Sequence, residues 1–144
     1  MALHLVKLCV GAESVEDLAT WQASAACPTW EVDGSACPVH VTRMHPKQAD
    51  ALLEGGSLYW VIKGQIRCRQ RLVGVEAVKD GEGTSRCALI LHPAIVLTRG
   101  QPKRPFQGWR YLKPEAAPED APDGDDLADM PAEMRAELEE LGLL

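Results

Sequence analysis

Three arginines stand two residues apart at positions 67, 69 and 71. Side chains two apart on a strand share one face, with about 6.6 Å between neighbours, twice the rise of a strand residue. Guanidinium groups at that interval could meet successive phosphates. A second basic cluster, RGQPKRPFQGWRYLK at 99–113, holds Arg99, Lys103, Arg104, Arg110 and Lys113. Phe106, Trp109 and Tyr111, three of the chain's seven aromatics, are interleaved with them. Cations neutralise phosphates while aromatic faces stack on bases, so this mixture suits single-stranded nucleic acid or a flipped base. The candidate contacts are Lys63, Arg67, Arg69, Arg71, Lys103, Arg104, Trp109 and Arg110, with Trp109 as the aromatic contact. The plainer reading is a solvated strand face balanced by acidic neighbours, and a final strand whose aromatics pack on the core.

Other chemistry is less well specified. Cys27, Cys37, His40 and His45 invite a zinc reading, but the two cysteines form no close CxxC knuckle, and Pro28 and Pro38 restrict the backbone beside each thiol. No metal or cofactor is expected. Lys63, Glu76 and Thr84 could serve an amide hydrolase, yet their spacing assigns no roles and no catalytic residue is named. His4 reads as a packed core histidine.

The elements that must position these groups centre on 55–78, GGSLYWVIKGQIRCRQRLVGVEAV. Leu58 to Ile62 is an unbroken apolar run, a strand covered on both sides. Lys63-Gly64 punctuates it. From Gln65 to Leu72 the arginines then alternate with Ile66, Cys68, Gln70 and Leu72, the pattern of a half-buried strand. After Leu72 the parity changes, and one extra residue near Val73-Gly74 would restore a continuous buried face. A β-bulge is therefore expected there, bending the strand towards closure of a small barrel. Upstream, residues 2–10 read as an interior strand with Lys7 near an end or lining a cleft. Ser14 opens a capping box for a helix from Val15 to Ala25. Asp33-Gly34 makes a turn, Val39 to Met44 a strand, and Pro46 to Glu54 a short helix ended by Gly55-Gly56. Downstream, 79–83 reads as a hairpin loop, Arg86 to Leu91 as the returning strand, and Ala94 to Thr98 as another short strand.

At 144 residues the chain supports one domain with its own core. Its net charge of −6 hides a split. Residues 1–113 hold 14 basic and 10 acidic side chains, a net +4; residues 114–144 hold 1 and 11, a net −10. The expected organisation is a globular domain over 1–113 and an acidic, linker-like, mobile tail over 114–144. Pro131 to Leu144 could form a terminal helix, and the tail could fold back on the basic body. No apolar run reaches membrane-span length and the N-terminus lacks a signal-peptide pattern. Five cysteines, three of them within apolar strand patterns, read as reduced thiols in a cytoplasmic protein.

The segments at 4–22, 40–44, 55–72 and 105–114 (HLVKLCVGAESVEDLATWQ, HVTRM, GGSLYWVIKGQIRCRQRL and PFQGWRYLKP) resemble an alphaproteobacterial family, domain of unknown function 1489. The resemblance covers most of 1–114, leaves the tail outside, and carries over no functional residues. More remotely, residues 46–78 are similar to the PUA-like superfamily of ASCH and EVE domains. That likeness implies a small β-barrel binding RNA or modified bases between barrel and helix. The fold class expected is α+β, a small curved β-barrel or strongly bent mixed sheet, PUA-like, with two or three short helices. A non-catalytic module binding RNA or another nucleic acid, or a modified nucleotide, is the leading expectation. A small hydrolase of a nucleoside or anionic molecule, and a protein-interaction module, stand as alternatives.

Overall fold

The computed structural model describes residues 3–121. Eight strands run in the order β1 (His4–Leu8), β2 (Thr29–Val32), β3 (Ser35–Thr42), β4 (Ser57–Ile62), β5 (Gln65–Lys79), β6 (Ser85–Leu91), β7 (Val96–Pro102) and β8 (Trp109–Leu112). Two helices, α1 (Val15–Ala23) and α2 (Ala49–Leu52), and a 3₁₀ turn at Pro114–Ala116 complete the described chain. The sheet order is β2-β3-β6-β5-β4-β1-β8, with β7 pairing β5 as well. β1 and β4 are parallel and every other pairing is antiparallel, so the sheet is mixed. It bends without closing into a barrel.

The bend comes from β5. Its first half pairs with β4 on one side and β7 on the other, while its second half pairs with β6. The expected bulge is present: Leu72 faces Leu91 and Gly74 faces Ile90, leaving Val73 without a partner in the register. Beyond it Val75 pairs Leu89, so an apolar side chain stays on the core. A Cβ at Gly74 would press on the Ile90 side chain, which accounts for glycine at this step. A second bulge was not expected. Trp60 pairs Cys68 but Val61 pairs Ile66, so Arg67 is the extra residue. Ile66 consequently packs with Val6, Tyr59 and Val61, away from the cluster that holds Cys68 and Leu72.

Local rules account for the connections. The β2–β3 and β4–β5 hairpins each turn on two residues with positive φ: Asp33 and Gly34 at 50° and 83°, Lys63 and Gly64 at 52° and 79°. That pair of left-handed residues is the tight hairpin turn whose twist matches the flanking strands. Ser14 caps α1 by accepting from the Asp17 amide at 3.1 Å, while the Asp17 carboxylate reaches back to the Glu13 amide at 3.0 Å. α2 is shorter than expected: Pro46 to Gln48 stay outside it, and the helix is a single turn from Ala49. Gly56 joins α2 to β4 where the carbonyls of Leu3 and Leu52 leave no room for a Cβ.

The acidic segment also differs from the expected linker. Residues 114–121 lie on β7: the Arg99 amide donates to the Glu119 carbonyl at 2.9 Å, and the Ala121 amide to the Leu97 carbonyl at 2.8 Å. The proposed terminal helix at 131–144 lies outside the described residues.

Candidate functional site

The register sorts the sheet around β4 into two faces. Leu5 and Lys7 of β1, Leu58, Trp60 and Ile62 of β4, and Cys68, Gln70 and Leu72 of β5 point towards α1 and α2. His4, Val6 and Leu8, Tyr59 and Val61, and Ile66, Arg69 and Arg71 occupy the other face. On β8, Arg110 is paired with Val6, while Trp109 is paired with Lys7. Trp109 therefore stands on the helix side and Arg110 on the arginine side. The expectation of one groove lined by the arginines and Trp109 does not hold: the indole packs edge-on against Tyr111 and donates to the Met44 carbonyl at 2.9 Å.

The three guanidinium groups of β5 differ. Arg69 is clamped by Asp120, with Nε and Nη2 each 2.7 Å from a carboxylate oxygen, and Nη1 donates to Ser57 Oγ at 2.9 Å. Asp120 raises the Arg69 pKa, and Arg69 holds the Asp120 carboxyl below its ordinary value. Arg67, displaced by its bulge, reaches only the Gln65 side-chain oxygen at 3.3 Å, and Arg71 is exposed. Among the described residues neither pairs with a carboxylate.

The remaining cations gather where β4 turns into β5. The Lys103 amide donates to the Gly64 carbonyl at 2.8 Å, which seats the 103–106 segment beside the Lys63-Gly64 turn. Phe106 packs on the arginine-face core, with the Arg110 guanidinium 5.5 Å and the Lys103 ammonium 6.0 Å from its ring centre. A ring face attracts cations at these distances and holds them without neutralising their charge. Arg104, next to Lys103 in the chain, and Lys63, next to Gly64, are exposed. Among the described residues, no carboxylate pairs with any of the four.

The helix side carries a cleft of about 110 Å³ between α1, the end of β1 and β3. Its walls include Lys7, Trp21, Gln22, Val39, His40 and Trp60. The His40 ring meets Trp60 edge-on at 5.2 Å, and its Nε2 is buried without a hydrogen-bond partner among the described residues. Burial first, and the Lys7 charge second, push the His40 pKa down to about 4. Burial likewise lowers the Lys7 pKa and raises that of Cys9 to about 11. One wall is rigidly braced: Trp60 Nε1 donates to Gln70 Oε1 at 2.9 Å, Gln22 and Gln70 exchange bonds at 2.7 and 2.8 Å, and Gln70 also donates to the His92 carbonyl. Lys7 as a cleft-lining residue agrees with its reading from sequence.

Of the eight expected contacts, Lys103 and Arg110 meet at Phe106, and Lys63 and Arg104 adjoin them at the β4–β5 turn. Arg67 and Arg71 lie further along β5, Arg69 is spoken for by Asp120, and Trp109 is on the opposite side. His4 is structural as expected, accepting from the Ser57 amide at 3.0 Å and stacking edge-on with Tyr59. Lys63 lies in the turn before β5, whereas Glu76 lies beyond the Gly74 bulge and Thr84 just before β6, at the other end of the strand, so the structure brings no shared site together from them. Cys27 and Cys37 are free thiols, and among the described residues no three His, Cys, Asp or Glu side chains gather as metal ligands. No described helix is long and apolar enough to cross a membrane. Two features escaped the sequence reading: the His40–Lys7 cleft and the Asp120 clamp. Lys7 amid apolar strand residues was the one available signal for the first.

A family model described as "Protein of unknown function (DUF1489)" matches residues 5–144. No curated protein and no solved structure matches the chain. The family match runs through the acidic tail, which the sequence resemblance had left outside. The chain belongs to that family.

Proposed function

We propose that this member of the family is a nucleic-acid-binding module that grips a single strand of RNA by its phosphates on the arginine face. The observation that carries the reading is the trio at the β4–β5 turn, where Phe106 holds Arg110 and Lys103 in place and no described carboxylate neutralises them. A fixed cation loses little side-chain freedom on meeting a phosphate, and it releases a condensed counterion when it does. Lys63 and Arg104 extend the same patch, and Arg71 continues it along β5. A body of net +4 over residues 1–113 favours the encounter. A distant PUA-like kinship and a cytoplasmic setting are parts of the same proposal.

The test is fluorescence anisotropy of a labelled 12-nucleotide uridine strand with the full chain between 50 and 200 mM salt. Binding should weaken steeply with salt. Arg110→Ala should flatten the logarithmic salt slope by about 0.7, one phosphate contact on a single strand. Trp109→Phe, altered on the other side of the sheet, should leave the slope alone. Salt-independent binding, or none at 50 mM, removes the proposal.

A further inference from the structure

We propose that the cleft between α1 and the sheet is a binding site for a small, mostly apolar monocarboxylate, its carboxylate seated between Lys7 and His40. The inference goes beyond nucleic-acid binding and concerns the opposite side of the sheet. Its first support is the uncompensated polar group: His40 Nε2 is buried at the cleft wall with no partner among the described residues. Buried polar atoms are nearly always satisfied, and one left open costs about 1–3 kcal/mol until a partner arrives. Its second support is Lys7, an ammonium-bearing side chain among the lining residues, close enough to act electrostatically on His40. Two cations would repel there, so His40 stays neutral and can offer an N–H, while Lys7 supplies the charge. Oxygens of one carboxylate satisfy both groups at once.

The remaining walls determine what the carboxylate is attached to. Leu8, Val10, Leu18, Val39, Leu91 and the Trp60 ring present hydrocarbon, and among the described residues no carboxylate lines the cleft. About 110 Å³ approaches the size of cavities that accept a single benzene ring. A phosphate dianion needs more donors than this mostly apolar cleft provides. Trp60 is locked by Gln70, so that wall is preformed. Trp21, half exposed on α1, stands at the mouth.

The experiment titrates benzoate, benzamide and inorganic phosphate into the full chain, followed by calorimetry and by the indole N–H resonances of Trp21 and Trp60. Benzoate should saturate and shift both indoles, with an affinity at least tenfold above benzamide, and phosphate should leave them unmoved. Lys7→Met, which keeps the length of the side chain, should reduce benzoate to the benzamide level. Trp21→Ala, a change at a half-exposed position that spares the core, should weaken benzoate and benzamide alike. Benzamide within twofold of benzoate, phosphate bound more tightly than benzoate, no saturable shift, or an unchanged benzoate affinity in either variant overturns the assignment.

Discussion

The two faces of the sheet are built from the same strands and handle charge in opposite ways. On the helix face, eleven buried residues among those described form one continuous core, and Lys7 and His40, which reach the cleft, are partly stripped of water. On the arginine face five buried residues form the core among the described residues, and its cations remain at the surface, resting on a ring, on a carboxylate or in solvent. Polar chemistry on the first face is scarce and desolvated; on the second it is plentiful and screened. Desolvated groups interact strongly with whatever small group reaches them, whereas surface cations act by number and weaken with salt. The first arrangement suits a small guest and the second a polyanion.

The sharpest way to break this contrast is to truncate one residue on each face. Leu58→Ala, in the larger core, should cost about 2–5 kcal/mol, whereas Val61→Ala should cost about 1–2 kcal/mol, near the transfer free energy of its two methyl groups. Urea unfolding with a common slope would check it, and equal losses would remove the distinction between a major and a minor core.

A smaller effect is expected from acid. The His40 pKa is about 4 in the folded protein against an ordinary 6.5, so the unfolded chain takes up a proton first as pH falls. Stability should therefore be fully present above pH 6.5 and be lost progressively towards pH 4. His40→Phe should remove on the order of 2 kcal/mol of the difference between pH 7.5 and pH 4.5. Identical acid limbs in the two proteins would show that His40 is not desolvated.

The smallest effect belongs to the clamp. Asp120→Asn removes an ion pair that is only partly covered, with Asp120 exposed and Arg69 half-buried, so it should change stability by less than about 1 kcal/mol. The Asp120 pKa is depressed, so the clamp's contribution should be present above pH 4 and disappear as pH falls through the lowered value. The same substitution frees Arg69, and uridine-strand affinity should rise a few-fold at 50 mM salt. A fall in affinity would mean that Arg69 does not face the bound strand.

How much of this was legible in the chain depends on whether the signal was local. The Gly74 bulge could be read because parity changes there and glycine marks it. The Arg67 bulge could not, since the alternation through 65–72 is unbroken in sequence and only the β4 register reveals that Ile66 has changed sides. Lys63-Gly64 and Asp33-Gly34 announced their turns through residue type. Trp109 was assigned to the wrong face because the pairing of β8 with β1, more than 100 positions apart, decides its direction. The cleft was hidden for the same reason: Lys7, Trp21, His40 and Trp60 are drawn together by topology, and no spacing connects them. An acidic, proline-bearing composition suggested a loose tail from 114, yet backbone bonds at Glu119 and Ala121 hold the segment against β7 and the Asp120 carboxylate ties it to Arg69 of β5.

β5 belongs to both halves of the sheet, with β4 and β7 along its first stretch and β6 along its second. Neither half can come apart without stripping hydrogen bonds from the strand that the other half uses. Melting should then be a single all-or-none event, and the amides of β5 on either side of Gly74 should exchange with solvent at one common, slowest rate.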